Sequence, residues 1–309
     1  MYNLWDLTIA KFQIKLIAKD ELHLPEYKGS TLRGGFGSTL KKVCCIQKQK
    51  YCPKCLLKDK CAYYFIFESS PASNSEKLKN LQEIPRPFVI EPPQTKKTQY
   101  FPGDELMFNL ILFGKAIEYL PYMIYTFIEL GNKGIGKYRG QFKVKEVINH
   151  TGDIIYDGDS ETLYNKKSVM KIVFPEINIS NRLKISFLTP TRIKYQGHFC
   201  NRPEFHILMR ALLRRISSLM YFYCGKELKV DFKNLILQSE NVKIVDSNLF
   251  WVDWERYSSR QGDKMKLGGI VGRVEYYGDV NPFFQILKAG EILHIGKGTS
   301  FGLGKYEII

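Results

Sequence analysis

Twice in this chain an apolar run of helix length breaks into a loop built on glycine and then resumes as a short alternation of strand type. The later instance runs from Phe283 to Ile295, through Gly296-Lys297-Gly298-Thr299-Ser300-Phe301-Gly302-Leu303-Gly304, into Lys305-Tyr306-Glu307-Ile308-Ile309. Four glycines in nine positions describe a backbone that passes through positive φ and stays uncovered by Cβ atoms. Such a loop is expected to present its N–H groups outward. The earlier instance is Tyr119 to Leu130, then Gly131-Asn132-Lys133-Gly134-Ile135-Gly136-Lys137-Tyr138-Arg139-Gly140, then the alternating Phe142 to Val147. A single glycine cluster marks any tight turn. Recurrence with basic residues, near the ends of two halves, implies a duplicated unit of domain size rather than a solenoid, whose period would be shorter.

The intervening pattern gives each half the same order. Leu7 to Ala18 alternates as a first strand. Leu32, Phe36, Leu40 and Val43 recur at helical spacing behind Ser30, which predicts a helix despite Gly34, Gly35 and Gly37. Those glycines imply the close approach of another backbone. Tyr63 to Glu68 and Glu105 to Phe113 read as strands, Ser69 to Lys79 as a polar loop, and Ala116 to Leu130 as a second helix. In the second half Leu183, Ile185 and Phe187 open a strand. Pro203 starts a helix to Tyr223, with Arg210, Arg214 and Arg215 off its apolar face and Gly225 as its stop. Val242 to Val252 and Ile270 to Tyr277 follow as strands, and Asn281-Pro282 caps the last helix. The expected fold is α+β: two tandem ferredoxin-like (RRM-like) domains of β-α-β-β-α-β order. They are placed at 1–150 and 182–309, with a linker at 151–181 and the second glycine loop at 296–304.

The charge balance constrains the partner. Lys and Arg number 46 against 31 Asp and Glu, a net charge of +15. With 14% aromatics, and lysines beside both glycine loops, this points to a polyanion, nucleic acid above all. No basic amphipathic helix with a clean apolar face supports a membrane surface instead. The segment Asp253-Trp254-Glu255-Arg256-Tyr257-Ser258-Ser259-Arg260-Gln261-Gly262-Asp263-Lys264 interleaves cations, stacking rings and hydroxyls, a combination suited to single-stranded or looped RNA. The beginning Met1-Tyr2-Asn3-Leu4-Trp5-Asp6 has no basic stretch leading into an apolar core, and no run is long enough to span a bilayer. A cytoplasmic location is expected.

Seven cysteines in such a chain fit reduced thiols or metal ligands better than disulfides. Cys52-x-x-Cys55 has knuckle spacing, and Cys61 with Cys45 or Cys44 completes a four-thiolate set, so an insertion at about 44–61 is expected to hold one structural zinc. Thiolates alone also suit an iron-sulfur cluster. No ligand position is left open for a catalytic water, so the metal's role is expected to be structural.

Several stretches carry a resemblance: Gly29-Ser30-Thr31-Leu32-Arg33-Gly34-Gly35-Phe36-Gly37, the cysteine cluster, Phe187-Leu188-Thr189-Pro190-Thr191, Trp254 to Gln261, and His294 to Tyr306. Together, in tandem ferredoxin-like units, they resemble the RAMP superfamily of CRISPR systems. Within it they resemble the cysteine-containing branch of the precursor-RNA processing endoribonucleases, the sixth numbered Cas family. The resemblance implies metal-independent cleavage of CRISPR repeat RNA, a 2′-hydroxyl attacking the adjacent phosphate to leave a 2′,3′-cyclic phosphate and a 5′-hydroxyl. The alternative is a RAMP subunit that binds guide RNA as a scaffold, with other Cas effector subunits as partners. Many relatives carry a general base in or just after the first helix, whereas Ser30 to Tyr51 here contains no histidine. Of the five histidines, His294 and His23 border a glycine loop and the first helix, and His150, His198 and His206 have weaker placements. Candidate catalytic residues are therefore His294, His23, Lys41 and Lys42. RNA contacts are expected from Arg33, Lys133, Lys137, Arg139, Arg256, Tyr257, Arg260, Gln261, Lys264, Lys297, Gly298 and Lys305.

Overall fold

The computed structural model describes residues 4–47, 51–68, 84–166, 169–170, 181–253, 255–258 and 263–309, with backbone alone at 5, 255–258 and 263–266. It divides into an N-terminal unit, Thr8–Met170 with Phe222–Cys224, and a C-terminal unit, Met1–Leu7 with Lys171–Tyr221 and Gly225–Ile309.

The N-terminal unit contains β1 (Ile9–Ala18), β2 (Leu22–His23), α1 (Gly29–Cys44), β3 (Phe88–Glu91), β4 (Gln99–Tyr100), β5 (Glu105–Phe113), α2 (Leu120–Lys133), β6 (Phe142–Asn149), β7 (Ile154–Asp157) and β8 (Thr162–Leu163). Its main sheet has the order β3-β5-β1-β6-β7-β8, with β1 antiparallel to both β5 and β6. The first four of these strands have the ferredoxin-like arrangement, the first-formed strand lying between the third and the fourth. Alternation along β1 sends Phe12, Ile14 and Leu16 into the core, where none is exposed to solvent, and leaves Lys11, Gln13 and Lys15 on the other face. Helix α1 lays Leu32, Phe36 and Leu40 on that core. Phe36 stacks on Phe127 of α2 at 5.1 Å and meets Phe88 of β3 edge-on at 5.6 Å. Each such buried ring is worth about 1.5–3 kcal/mol.

The helix glycines have a different reason from the one expected. A Cβ on Gly37 would collide with the Phe67 ring and one on Gly35 would press on Leu130, so side chains rather than a second backbone fill the gaps. Phe67 is brought there because Tyr64–Glu68 forms a wide helical turn, not the expected strand. Tyr63 and Phe67, one turn apart, stack at 5.5 Å, and the Tyr63 hydroxyl donates to Glu68 at 3.0 Å. An aromatic run satisfies helix and strand templates equally until such pairs form. The first unit also extends past position 150: β7 pairs with β6, β8 with β7, and Met170 bridges back to Ile9. Part of the expected linker is thus sheet.

The C-terminal unit contains β9 (Arg182–Thr191), β10 (Lys194–Tyr195), β11 (His198–Phe199), α3 (Phe205–Leu219), α4 (Phe232–Ser239), β12 (Lys243–Val252), β13 (Glu255–Ser258), β14 (Asp263–Lys266), β15 (Gly269–Tyr277), α5 (Phe284–Leu293) and β16 (Tyr306–Ile308). Its sheet has the order β12-β15-β9-β16, the same arrangement again. Buried tyrosines are satisfied by backbone: Tyr276 donates to the Pro203 carbonyl and Tyr306 to that of Leu287. Two hairpins, β10–β11 and β13–β14, are additions to the repeat. Among the described residues no helix is long and apolar enough to cross a membrane.

Candidate nucleic-acid interface

The duplication seen in the glycine loops holds at the level of individual hydrogen bonds. In the N-terminal unit Gly134 N–H donates to Leu130, Ile135 to Gly140, and Lys137 to the His23 carbonyl, at 2.9, 2.9 and 3.0 Å. In the C-terminal unit His294 N–H donates to Gly290, Ile295 to Gly304, and Lys297 to the Arg192 carbonyl, each at 2.9 Å. Gly134-Ile135-Gly136-Lys137 therefore matches His294-Ile295-Gly296-Lys297. Gly136 and Gly296 sit at φ +77° and +83°, where a Cβ would strike the carbonyls of His23 and Arg192 respectively. These bonds correct one expectation: much of each loop's N–H inventory is turned inward to fasten it, including Gly302 to Thr299 and Gly304 to Pro190. The Thr189 hydroxyl adds a bond to the Gly302 carbonyl and accepts from Lys305 N–H, which is why Thr189-Pro190-Thr191 accompanies this loop.

In the N-terminal unit, loop and helix enclose a cleft of about 400 Å³ lined by His23, Leu24, Pro25, Thr31, Gly136 and Lys137. Its floor is the start of α1. That helix has no side-chain N-cap, so its first-turn N–H groups favour an anion. Lys28, fully buried, donates from Nζ to the carbonyls of Glu26 and Thr95 at 2.9 and 3.0 Å, and burial pushes its ammonium below the ordinary lysine range. The imidazole of His23 is partly exposed, with Nε2 3.0 Å from Glu21 Oε1 and its ring edge-on to Tyr138 at 4.9 Å. A carboxylate on one ring nitrogen orients the ring and leaves the other for proton exchange.

Further cations run from this cleft along α1. Lys133 reaches Ser38 on α1 at 3.4 Å. Burial first, and the Lys42 and Arg139 charges next, hold its ammonium below the usual lysine range. Like charges gathered in this way constitute a phosphate-binding field. Lys137 is exposed, its Nζ 5.0 Å from the Tyr138 ring centroid. Lys41 instead lies over Tyr63 at 5.7 Å and beside Cys52, and Arg33 over Phe67 at 4.0 Å. Both are thereby directed to the aromatic packing beneath α1, and the expectation of a catalytic Lys41 has no geometric support.

The largest correction concerns His294. It is fully buried and caps α5 with φ +61° and ψ 167°, the conformation that Gly134 holds in the other loop. Its Nδ1 lies 3.0 Å from the Leu303 carbonyl, which pins the longer loop across its middle. A side chain without solvent contact does not reach an RNA phosphate, so His294 is a structural residue. Arg215 was expected on the solvated face of α3; it is buried and donates to the Leu293 carbonyl at 2.7 Å, satisfying the same helix end. Lys297 is exposed, Gly298 sits at φ +79°, and Lys305 is half-buried at the base of the loop. Arg260 and Gln261 lie outside the described residues, and Arg256, Tyr257 and Lys264 are placed by backbone only, on the β13–β14 hairpin. The sequence reading passed over Arg192, although its place after the first strand of its unit is that of His23.

The cysteine insertion folds as two tight turns, with Cys55 N–H donating to Cys52 and Cys61 N–H to Lys58. Burial first, with Cys61 second, pushes the Cys44 thiol up to about 11, and burial also raises that of Cys52, with smaller effects from Cys45 and Cys61 nearby. Cys55 Sγ lies 3.6 Å from Gln47 Oε1. Among the described residues no three Cys, His, Asp or Glu side chains converge as ligands of one ion. The donor chemistry is that of a thiolate site, whereas its tetrahedron is not closed in this structure.

Comparison with known proteins agrees with the two-unit division. A family model described as the AF_1859 N-terminal domain matches residues 7–168, and the model of the CRISPR-associated endoribonuclease Cas6 matches 185–306. An uncharacterised protein of Archaeoglobus fulgidus is 26% identical over 93% of both chains. Among solved structures, a product complex of Thermus thermophilus Cas6 (TTHB231) is similar with TM-score 0.55 at 14% identity, covering 98% of this chain and 99% of that one. A partial Cas6-RT-Cas1–Cas2 complex is similar with TM-score 0.58 at 12% identity over 98% of this chain and 46% of that one. The chain belongs to the AF_1859 N-terminal-domain family, whose model spans just over half of it, and its C-terminal unit is similar over residues 185–306 to the CRISPR-associated endoribonuclease Cas6, whose solved structures share the two-unit fold.

Proposed function

We propose that this chain cuts CRISPR repeat RNA in precursor transcripts by transesterification at the cleft beside His23. The match of residues 185–306 to the CRISPR-associated endoribonuclease Cas6 supports the processing itself. The observation that carries the site is the position of His23: its carbonyl fastens the glycine loop through Lys137 N–H, while its imidazole, oriented by Glu21, opens on the start of α1. A phosphate at the uncapped helix start meets Lys137 of the same cleft, while Lys133 and Lys42, further along α1, are placed for the flanking RNA backbone. With the Nε2 proton shared with Glu21, Nδ1 accepts the proton of the 2′-hydroxyl. The 2′-oxygen bonds to phosphorus, the bond from phosphorus to the 5′-oxygen breaks, and that oxygen takes a proton from solvent water while His23 later returns its own to solvent, giving a 2′,3′-cyclic phosphate and a 5′-hydroxyl. Lys137, with the N–H groups of the helix start, stabilises the extra negative charge of the pentacoordinate state. A structural zinc held by Cys52, Cys55, Cys61 and Cys45 or Cys44 would brace the C-terminal end of α1 and take no part in this step.

The scaffold reading is favoured by one observation: α1 lacks a histidine and His294 is buried, so of the two histidines that border the glycine loops only His23 is left for proton transfer. Single-turnover cleavage of a repeat RNA in EDTA separates the two. The enzyme yields one cut with a cyclic phosphate end, and His23→Ala lowers that rate by roughly 10²- to 10⁴-fold with RNA affinity retained. RNA that is bound and stays intact would establish the scaffold.

A further inference from the structure

We propose that Arg192, Phe199 and Trp251, beside the C-terminal glycine loop, hold one unpaired nucleotide of the RNA, its base on the two rings and its phosphate on the guanidinium. The inference rests on the RNA-processing reading and adds to it a subsite away from His23.

Each component is fixed by local structure. The Arg192 carbonyl receives the Lys297 amide of the glycine loop, which anchors the residue at the end of β9. Its guanidinium lies 4.6 Å over the Phe199 ring. Phe199 is carried there by the β10–β11 hairpin, whose turn residues Gln196 and Gly197 both have positive φ, at 47° and 88°. The Phe199 ring is 6.3 Å from the indole of Trp251, inclined at 47°. Trp251 in turn donates its Nε1–H to Asp253 at 2.8 Å, which fixes the plane of the indole. None of the three belongs to the core: Phe199 is 39% exposed, and Arg192 and Trp251 are half-buried.

Two features are costly in the free protein. The Nε of Arg192 is buried without a hydrogen-bond acceptor, and among the described residues no carboxylate pairs with the guanidinium. Burial alone holds its pKa below the ordinary arginine value. A desolvated cation without an anion, next to aromatic faces kept at the surface, costs stability that a suitable ligand returns. A nucleotide offers an anion and a planar π-face in one unit, and base stacking on aromatic side chains does not require a particular base. Paired RNA keeps its bases in the stack, so the ligand is single-stranded.

Binding of a fluorescein-labelled unstructured RNA octamer to the full chain tests this, with a parallel series of octamers each lacking one base. Phe199→Ala and Trp251→Ala should each raise Kd roughly 5- to 150-fold without changing its salt dependence, and Trp251→Phe should restore most of the loss. Arg192→Ala should reduce the slope of log Kd on log salt by about 0.7. One abasic position should weaken binding to the wild type and cost nothing further in Phe199→Ala. Phe199 lies on an exposed hairpin, so that variant folds whatever the outcome for Trp251. Unchanged affinity in Phe199→Ala and Arg192→Ala, while the wild type still binds and cuts repeat RNA, overturns the subsite alone. A wild type that binds neither octamer nor repeat overturns the RNA reading with it.

Discussion

Replacing His294 by alanine and, separately, by glycine should reverse the usual order of the two substitutions. Alanine loses the Nδ1 bond and strands the Leu303 carbonyl, a cost of about 1–3 kcal/mol, and leaves a void of imidazole size worth about 1–2 kcal/mol more. It also keeps a Cβ at φ +61° and ψ 167°, a region that costs a non-glycine residue about 1–3 kcal/mol. Glycine incurs the same first two losses but relieves the third, less the ~0.5–1 kcal/mol of added chain entropy in the unfolded state. The alanine variant should thus be destabilised by about 2–5 kcal/mol, and the glycine variant should be the more stable of the two by about 0.5–2 kcal/mol. Urea denaturation of both variants and the wild type measures the differences, and single-turnover cleavage normalised to folded protein supplies the functional control. A glycine variant less stable than the alanine one would refute the strained-position argument. An alanine variant of wild-type stability that cleaves a hundredfold more slowly would return His294 to the chemistry.

The cation cluster predicts salt dependence: RNA affinity should fall steeply with ionic strength, and Lys42→Ala, Lys133→Ala and Arg139→Ala should each flatten the log–log slope by roughly 0.7–0.9, whereas a flat wild-type response would show the charge excess to be unrelated to RNA. The thiol cluster predicts about one zinc per chain by elemental analysis. In chelated protein at pH 8, Cys44, pushed up to about 11, should be alkylated far more slowly than a free thiol. Cys52→Ser should destabilise the N-terminal unit and leave cleavage per folded molecule unchanged; metal-free protein of undiminished stability would remove the metal from the account.

The two β-α-β-β-α-β orders were legible because their signals are local: alternation in β1, β9 and β15, helical spacing in α1 and α3, and glycine at the ends of α2 and α5. The sequence could not reveal which surfaces those elements turn inward. His294 beside four glycines looks like an active-site group until the loops are aligned through their bonds, when it takes the place of Gly134 and becomes a buried fastener. That alignment, Gly-Ile-Gly-Lys against His-Ile-Gly-Lys, was available in the sequence as a signal. Tyr63 to Glu68 misled because aromatic runs fit either period. Arg192 was passed over because its significance is desolvation, a property of the neighbours that β9 and the β10–β11 hairpin bring to it from elsewhere in the chain. The Gln196-Gly197 turn was the available sign of that hairpin.

The bond-for-bond match of the two loops also bears on the evolution of the protein. A homodimer of one ancestral unit must carry the same side chain at both copies of the position whose carbonyl receives the loop lysine amide. Fusion of the copies into a single gene lifts that constraint. Here the position holds His23 in one copy and Arg192 in the other, an imidazole and a guanidinium. Because the position is tied to the loop through its backbone, its side chain can change without loosening the scaffold. Selection can therefore retune one half for a new repeat while the other keeps its inherited task.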